Sequence, residues 1–182
     1  MKLVVNISSI GPRSTGLGNY AVHCARAAAL ALDAEVVAAH GVDGFDNVVL
    51  RAPASHAIGA SRTAALRRWV WGKVQQPFPG RVMYSPTHHV LQGADAQVLT
   101  VHDLISLRFS RQHPTQHLYF RHILPRELTR CRAVFTVSET TKLDIHEAYG
   151  FPLDRIWVVP NGVDRDVFRP AETPVEREPF LL

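Results

Sequence analysis

The fold of this chain is decided by three apolar segments, VLTVHDLISLRF (98–109), AVFTVSETTKLDI (133–145) and IWVVPNGVDRDVF (156–168). Each begins as a short apolar run typical of a buried strand and then passes into a polar cluster. The clusters are His102-Asp103, Ser138-Glu139 and the residues 161–164. Because ligands of an open parallel sheet bind beyond the carboxyl ends of its strands, the clusters predict a site at one edge of such a sheet.

The alternation of strand and helix continues on both sides of these segments. Strands are predicted at 2–8, 35–39, 47–51, 81–85, 97–101, 133–137 and 156–159, and helices at 17–32, 61–75, 114–130 and 139–149. Ser61 is the expected N-cap of the second helix, and Pro125 is expected to kink or split the third. The order predicts an α/β fold with a doubly wound parallel sheet, the Rossmann-like class.

Two parts are expected along the chain. Residues 1–164 form the Rossmann-like domain, and residues 165–182 form a linker followed by the beginning of another domain. The stretch after Asn161 is rich in Pro, Glu and Arg, which is typical of a linker, and PFLL at 179–182 resembles the start of a strand.

Composition narrows the class of protein. Hydrophobic residues make up 46% and charged residues 20% of the 182 residues, which is globular rather than disordered composition. The net charge of +4 suits phosphate-rich ligands or an anionic membrane and is too small for a dedicated nucleic-acid binder. Two isolated cysteines, Cys24 and Cys131, indicate a reducing, cytoplasmic location, and no apolar run reaches the ~18 residues of a membrane span.

A glycine-rich stretch, GLGNYA at 16–21, follows the first strand and opens the first helix. Its G-x-G-x-x-A spacing lets the backbone approach a phosphate at a helix N-terminus. In a dinucleotide-binding fold, however, the first glycine follows the strand almost directly, and an acid ends the second strand. Here a longer segment intervenes, and the second strand runs into His40-Gly41 with Asp43 beyond. The alternative is a flexible loop that only leads into a helix.

Two other ligand-binding motifs, a P-loop and a zinc site, are only partly present in the sequence. Residues 11–16 have the glycine spacing of a P-loop but lack its Lys-Ser/Thr pair, which argues against an NTPase. His113 and His117 are spaced to share one helix face, yet no third ligand stands at zinc-site spacing, so no metal is expected.

Each polar strand end also has a purely structural interpretation. His102 could be a core histidine hydrogen-bonded to a backbone carbonyl, with Asp103 capping the next helix. Ser138 is well placed as an N-cap with Glu139 in the first helical turn, and Asn161-Gly162 is a common turn pair.

The segment from Arg62 to Lys73 is basic and aromatic. Such a helix can lie on an anionic membrane. The alternative is a surface helix whose Leu66, Trp69 and Val70 pack on the sheet while the cations are solvated.

Taken together, four motifs resemble those of GT-B glycosyltransferases of family four, especially bacterial mannosyltransferase-like members that build surface polysaccharides. They are GLGNY (16–20), TVHDL (100–104), TVSE (136–139) and VPNGVD (159–164). The resemblance implies that the chain is the N-terminal half of a GT-B fold, and that the second half, with most of the nucleotide site, is absent. This chain alone is then expected to be inactive.

The resemblance also implies the chemistry of the complete enzyme. It would transfer a sugar, with mannose as first candidate, from GDP-mannose or a UDP-sugar to a hydroxyl of a glycan or lipid-linked acceptor, with retention of configuration. It implies neither a metal nor another cofactor, and it adds peripheral contact with the inner face of a membrane. No nucleic acid is expected, because the sequence contains no recognised nucleic-acid-binding module. His102 and Asp103 are expected at the reaction centre, and substrate contacts are expected from Gly16, Leu17, Gly18, Asn19, Ser138, Glu139 and Asn161. Two alternatives remain: an NAD(P)-binding oxidoreductase domain and a noncatalytic membrane-binding module.

Overall fold

A computed structural model of the chain describes residues 1–12, 15–61, 63–165 and 167–169. The strands are β1 (Lys2–Ile7), β2 (Glu35–Ala39), β3 (Val48–Ala52), β4 (Phe78–Ser85), β5 (Ala94–Thr100), β6 (Cys131–Thr136) and β7 (Ile156–Val158). The helices are α1 (Gly16–Leu32), α2 (Ala64–Val74), α3 (Ile105–Arg108), α4 (Pro114–His122), α5 (Leu124–Leu128) and α6 (Glu139–Tyr149), with single 3₁₀ turns at Ala54–His56 and Leu153–Arg155. Arg62, the predicted strand start at 179–182 and most of the predicted linker lie outside the described residues.

The described strands form one sheet in the order β3-β2-β1-β4-β5-β6-β7, and every neighbouring pair is parallel. This confirms the predicted doubly wound α/β class. The order in which strands are added reverses between β1 and β4. In sheets of this kind, the crevice at that reversal is where ligands bind.

The first strand shows how the sheet separates two cores. Val5 and Ile7 pack with Ala21 of α1, whereas Val4 packs with Met83 in a cluster that Trp71 of α2 borders. Successive side chains of a strand point to opposite faces, so α1 and α2 cover opposite faces of the sheet. A third cluster packs β5 and β6 against α4, α5 and α6.

Most predicted elements are confirmed, and β2 and α6 agree at both ends. The predicted helix 114–130 splits at Ile123, and Pro125 lies in the first turn of α5, where its missing amide is not needed. Strand β4 begins at Phe78, earlier than predicted, because a register shift accommodates the residues before Val82. The one-turn helix α3 has no counterpart among the predicted helices.

The predicted N-cap at Ser61 is wrong. Helix α2 begins at Ala64 after Thr63, which makes no side-chain capping bond. The backbone carbonyl of Ser61, rather than its hydroxyl, accepts the Ala64 amide at 3.2 Å. The helix therefore starts one turn later than its sequence suggests.

Candidate functional site

A cleft of about 1040 Å³ opens at the carboxyl ends of the parallel strands. The segments that follow β1, β4, β5 and β7 line it, together with helix α4. Six of the nine residues that sequence predicted as site residues meet there: Gly16, Leu17, Asn19, His102, Asp103 and Asn161. Gly18, Ser138 and Glu139 do not line the cleft.

The N-terminus of α1 contributes backbone amides to this cleft. The first turn carries no acidic residue, and Thr15 makes no side-chain capping bond. The first helical hydrogen bond runs from the Asn19 amide to the Thr15 carbonyl at 2.9 Å, so the preceding amides have no acceptor within the helix. Together with the helix dipole, they suit an anion. A β-carbon at Gly16 would meet nothing within 4 Å, whereas Gly18 is buried in the same turn.

His102 is held in place by two contacts and is only partly buried. Its Nε2 donates to the Pro86 carbonyl at 3.1 Å, so the predicted bond to a backbone carbonyl is present. Its ring also meets Tyr20 edge-on, with centroids 4.6 Å apart and an interplanar angle of 88°. Because a carbonyl only accepts, Nε2 carries the proton and Nδ1 of the neutral ring is an acceptor.

Asp103 serves the local backbone as well as the cleft. Its Oδ1 accepts the amide of Ile105, the first residue of α3, at 3.0 Å. The N-cap position of α3 is held by Leu104, so Asp103 bonds the helix start from one residue earlier than the capping interpretation requires. The side chain is otherwise exposed at the mouth of the cleft.

Ser138 acts as a helix cap. Its Oγ accepts the Thr141 amide at 3.1 Å, as the capping interpretation predicts. The Thr141 hydroxyl in turn donates to the His102 carbonyl at 3.4 Å. Ser138 thus supports the backbone of His102 indirectly, and Glu139 lies exposed in the first turn, where its charge complements the helix dipole.

The segment after β7 closes one side of the cleft. The Val159 amide donates to the Thr136 carbonyl at 2.7 Å and continues the sheet edge. The structure shows no turn within 161–164, contrary to the turn interpretation of Asn161-Gly162, and the Phe168 amide bonds the Asp164 carbonyl at 2.8 Å.

Sequence reasoning missed several residues of the cleft, including Tyr20, His88 and Gln116. It also missed Asn6, whose Nδ2 donates to Ser85 Oγ at 3.0 Å and to the His89 carbonyl at 3.1 Å. This buried amide ties the 86–93 loop to β1 and so positions His88. The available signal was a polar residue inside an otherwise apolar strand, KLVVNI.

The two histidines of the 86–93 loop are held neutral. Burial, followed by the nearby Arg68 and His102, lowers the pKa of His88 to about 3. Burial, then His88 and Arg68, lower the pKa of His89 well below its usual value. Burial likewise raises the pKa of Tyr20 at the cleft wall. These groups therefore offer hydrogen bonds and ring faces rather than charge.

The prediction that Leu66 and Val70 of α2 pack on the sheet while Arg68 faces solvent is wrong. Leu66, Val70 and Val74 are 61%, 45% and 73% exposed. The Arg68 side chain turns inward instead, and its Nη1 donates to the His56 carbonyl at 2.7 Å. An apolar stripe therefore faces outward beside the exposed Arg67.

The beginning of α4 carries the two histidines that sequence spacing marked as a potential metal pair. His117 Nδ1 donates to the Ser106 carbonyl at 3.0 Å, and His113 precedes α4. Within the described ranges no three His, Cys, Asp or Glu side chains are grouped so that they could hold a metal ion. None of the described helices combines the length and apolarity needed to cross a bilayer.

Comparison with known proteins gives two findings. The model of the family described as Glycosyltransferase Family 4 matches residues 14–167. The O-antigen chain mannosyltransferase RfbU of Salmonella typhimurium (strain LT2) is 28% identical over 193 aligned positions, which cover 99% of this chain and 53% of RfbU. The chain thus spans about half the length of this relative.

Proposed function

This chain belongs to glycosyltransferase family 4, and on that premise we propose that it forms the acceptor-side domain, residues 1–164, of a sugar-transferring enzyme. The complete enzyme moves a sugar from a nucleotide-diphosphate donor to a hydroxyl of a glycan or lipid-linked acceptor, with retention of configuration. Mannose from GDP-mannose is the first candidate, because RfbU is named a mannosyltransferase, and a UDP-sugar is the second.

The observation that carries this proposal is the cleft at the strand ends. It brings the uncapped N-terminus of α1 and the ring of His102 into one space. A leaving diphosphate needs stabilisation of its negative charge, and free amides at a helix N-terminus supply it without a metal. We assign this role to Gly16 and Leu17, with Asn19 and Asn161 as further substrate contacts.

His102 is assigned to the donor sugar. With Nε2 engaged by the Pro86 carbonyl, Nδ1 accepts a hydrogen bond from a sugar hydroxyl. The edge contact with Tyr20 holds the ring in that orientation. Catalysis then rests on positioning and on charge stabilisation. Asp103 is assigned to the same centre, Gly18 to the close packing of the α1 turn, Ser138 to the support of the His102 backbone through Thr141, and Glu139 to the first turn of α6, where its charge complements the helix dipole.

An NAD(P)-binding oxidoreductase has less support, although its fold shares this strand order. Residues 8–15 separate β1 from α1, where a dinucleotide fold has a tight turn. The acid beyond β2, Asp43, forms an ion pair with Arg51 at 3.6 Å.

The test is a turnover assay of the full-length protein against a panel of nucleotide sugars. We expect transfer with at least one donor, retention at the anomeric carbon by NMR, and binding of that donor but not of NAD(P). His102→Ala should lower turnover roughly 10²-fold, as loss of a polar group at a reaction centre does, with an unchanged circular dichroism spectrum. Full activity of His102→Ala, or tight NAD(P) binding, contradicts the proposal.

We also propose that residues 1–182 do not turn over alone, since they span about half of RfbU. Steady transfer by the purified chain without a partner would contradict this.

A second role, contact with the inner face of a membrane, is favoured by one observation. The stripe of Leu66, Val70 and Val74 points outward, and Arg67 and Lys73 flank it. A helix face of this kind suits an anionic lipid surface.

A further inference from the structure

A second, smaller cavity lies beside the cleft. It has a volume of about 250 Å³, opens to solvent and is bordered by α2, the 86–93 loop, α4 and α5; we call it the α2 cavity. Leu17, His88 and Gln116 line both the α2 cavity and the cleft, so the two spaces adjoin. None of the contacts assigned to sugar transfer above uses the rest of its wall.

Arg68 lines this cavity and is only partly exposed. One of its five N–H donors bonds the His56 carbonyl, and its Nε is buried without a hydrogen-bond partner among the described residues. Among the described residues, no carboxylate oxygen lies within 4 Å of a nitrogen of the Arg68 guanidinium. A desolvated guanidinium is normally paired, so an anion entering the cavity would relieve an existing penalty.

A second cation stands at the same wall. The Lys73 ammonium lies 4.2 Å from the ring centroid of Trp69, and the Trp69 Nε1 is another buried donor without a partner in the described ranges. The carboxylate that lines the cavity, Glu127, is occupied: Gln92 Nε2 donates to both of its oxygens at 3.3 Å, and Arg130 Nη1 lies 3.7 Å away. The cavity therefore presents unsatisfied donors and net positive charge.

Part of the remaining wall is apolar or aromatic, formed by Leu17, Ile58, Val90 and Tyr119, and Thr115 and Gln116 are polar members of the same wall. The volume is below the roughly 300–1,000 Å³ of most small-molecule sites, so it suits a headgroup rather than a whole nucleotide sugar. We propose that the α2 cavity binds the phosphate group of an ester with an apolar body, and that Arg68 and Lys73 contact the phosphate. The assignment of this ester to the acceptor rests on the proposed function; the binding of phosphate does not.

The test is isothermal titration of the 182-residue chain with three soluble probes: geranyl phosphate, geraniol and inorganic phosphate. We expect geranyl phosphate to bind and geraniol not to bind. Lys73→Gln and Arg68→Gln should each weaken binding about tenfold or more, because each removes a charge-assisted hydrogen bond. The matched control is Arg67→Gln, which removes the same charge from the same helix at an exposed position that does not line the cavity. It should change affinity less than about twofold.

Titration with inorganic phosphate distinguishes a site for free phosphate from a site for a phosphate ester. Binding of inorganic phosphate as tight as that of geranyl phosphate overturns the apolar part of the proposal and leaves an inorganic-anion site. Tighter binding of geranyl phosphate supports the phosphate ester. Equal binding of geraniol, or an equal loss in Arg67→Gln and Lys73→Gln, overturns the proposal. Because Lys73 is exposed, Lys73→Gln should fold, and its affinity for geranyl phosphate tests the proposal even if Arg68→Gln fails to fold.

Turnover of the full-length protein separates this inference from the proposed function. If wild type transfers sugar and Lys73→Gln leaves the KM for a phosphate-bearing acceptor unchanged, the cavity assignment fails and sugar transfer stands. If phosphate binds as expected and no nucleotide sugar is turned over, the proposed function fails and the cavity site stands.

Discussion

Helices α2 and α6 have the same length, 11 residues, and opposite relations to their sequences. Helix α6 begins at a serine whose hydroxyl accepts a first-turn amide and ends at Gly150 in the left-handed conformation, with φ of 66°. Helix α2 begins without a side-chain cap and ends at an extended Gln75. Local signals at its two ends therefore define α6, whereas α2 has no such signals.

The two helices also differ in what they bury. Helix α6 buries Thr141 and Ile145. Helix α2 buries Ala64 and Gly72 and turns an apolar stripe outward, while the Arg68 guanidinium faces inward. Local rules are broken where a chain carries function, and α2 breaks them beside both candidate ligand spaces.

The largest effect expected from this difference is on membrane contact. Changing Leu66, Val70 and Val74 together to Gln should weaken binding to anionic vesicles roughly a hundredfold, because each side chain contributes on the order of 1 kcal/mol of apolar contact. Leu143→Gln on α6 is the control, since Leu143 is 51% exposed and lies outside the stripe. Vesicle cosedimentation measures both.

Equal binding of the triple variant and wild type to vesicles would show that the outward stripe does not contact the membrane. Equal loss in Leu143→Gln would mean that binding follows total exposed apolar surface rather than α2.

The next effect is a pH dependence of stability that arises next to α2. Burial depresses the pKa of His88 to about 3 and that of His89 well below its usual value, so both stay neutral in the folded protein. The unfolded chain protonates them below about pH 6.5. The contribution of each histidine is thus fully present above about pH 6.5 and is lost as pH falls toward its folded pKa, by on the order of 2 kcal/mol for one histidine between about pH 7 and about pH 5.

Urea unfolding at several pH values checks this, and His88→Gln should give a shallower dependence. Ser138→Ala should only displace the curve downward, because it removes a cap and no buried imidazole. Glu35, whose pKa is lowered mainly by its hydrogen bond from Arg81, acts in a separate window below about pH 4.5. A wild-type free energy that is flat from about pH 7 to about pH 5 contradicts the assignment.

The same pair of helices explains how far the fold could be predicted. The signals of α6 are local, so its bounds follow from Ser138 and Gly150. The orientation of α2 depends on a distant contact: a β-carbon at Gly72 would lie 3.1 Å from the Val90 carbonyl oxygen. Packing of Gly72 against the 86–93 loop turns Ala64 and Arg68 inward with it, since the three stand at helical spacing, and no periodicity in the α2 sequence encodes that loop.

The residues of the candidate site likewise fall into those placed by local sequence signals and those placed by distant contacts. Strand ends carry His102, Asp103 and Asn161 to one edge because parallel strands end together, and this could be predicted. Tyr20 and His88 reach the cleft through contacts between segments far apart in sequence, the ring contact with His102 and the Asn6 bond to the 86–93 loop. Ser138 stands at a strand end and yet serves its helix, so position alone did not decide its role.

A smaller effect is expected at the end of α6. Gly150→Ala should lower the free energy of unfolding by about 1 kcal/mol, because an L side chain is strained at this positive φ even though its β-carbon would meet nothing within 4 Å. Gly16→Ala is the matched control: it has the same open space but lies in the first turn of a helix, where Ala is preferred. Thermal and urea unfolding should show loss only in Gly150→Ala, and a similar loss in both would assign the effect to composition rather than to φ.

The smallest effect concerns the two helix beginnings. Ser138→Ala should cost about 1 kcal/mol of unfolding free energy, because the Thr141 amide loses the hydroxyl that now lies 3.1 Å away. Thr63→Ala at the corresponding position of α2 should change stability by less than about 0.5 kcal/mol, because its hydroxyl is exposed and, within the described ranges, is hydrogen-bonded to Ser61 Oγ alone, at 3.3 Å. Urea unfolding resolves this difference at a pH above the histidine window. If Thr63→Ala costs as much as Ser138→Ala, α2 is capped in solution by its own side chains, and its sequence and structure agree more closely than the contrast with α6 implies.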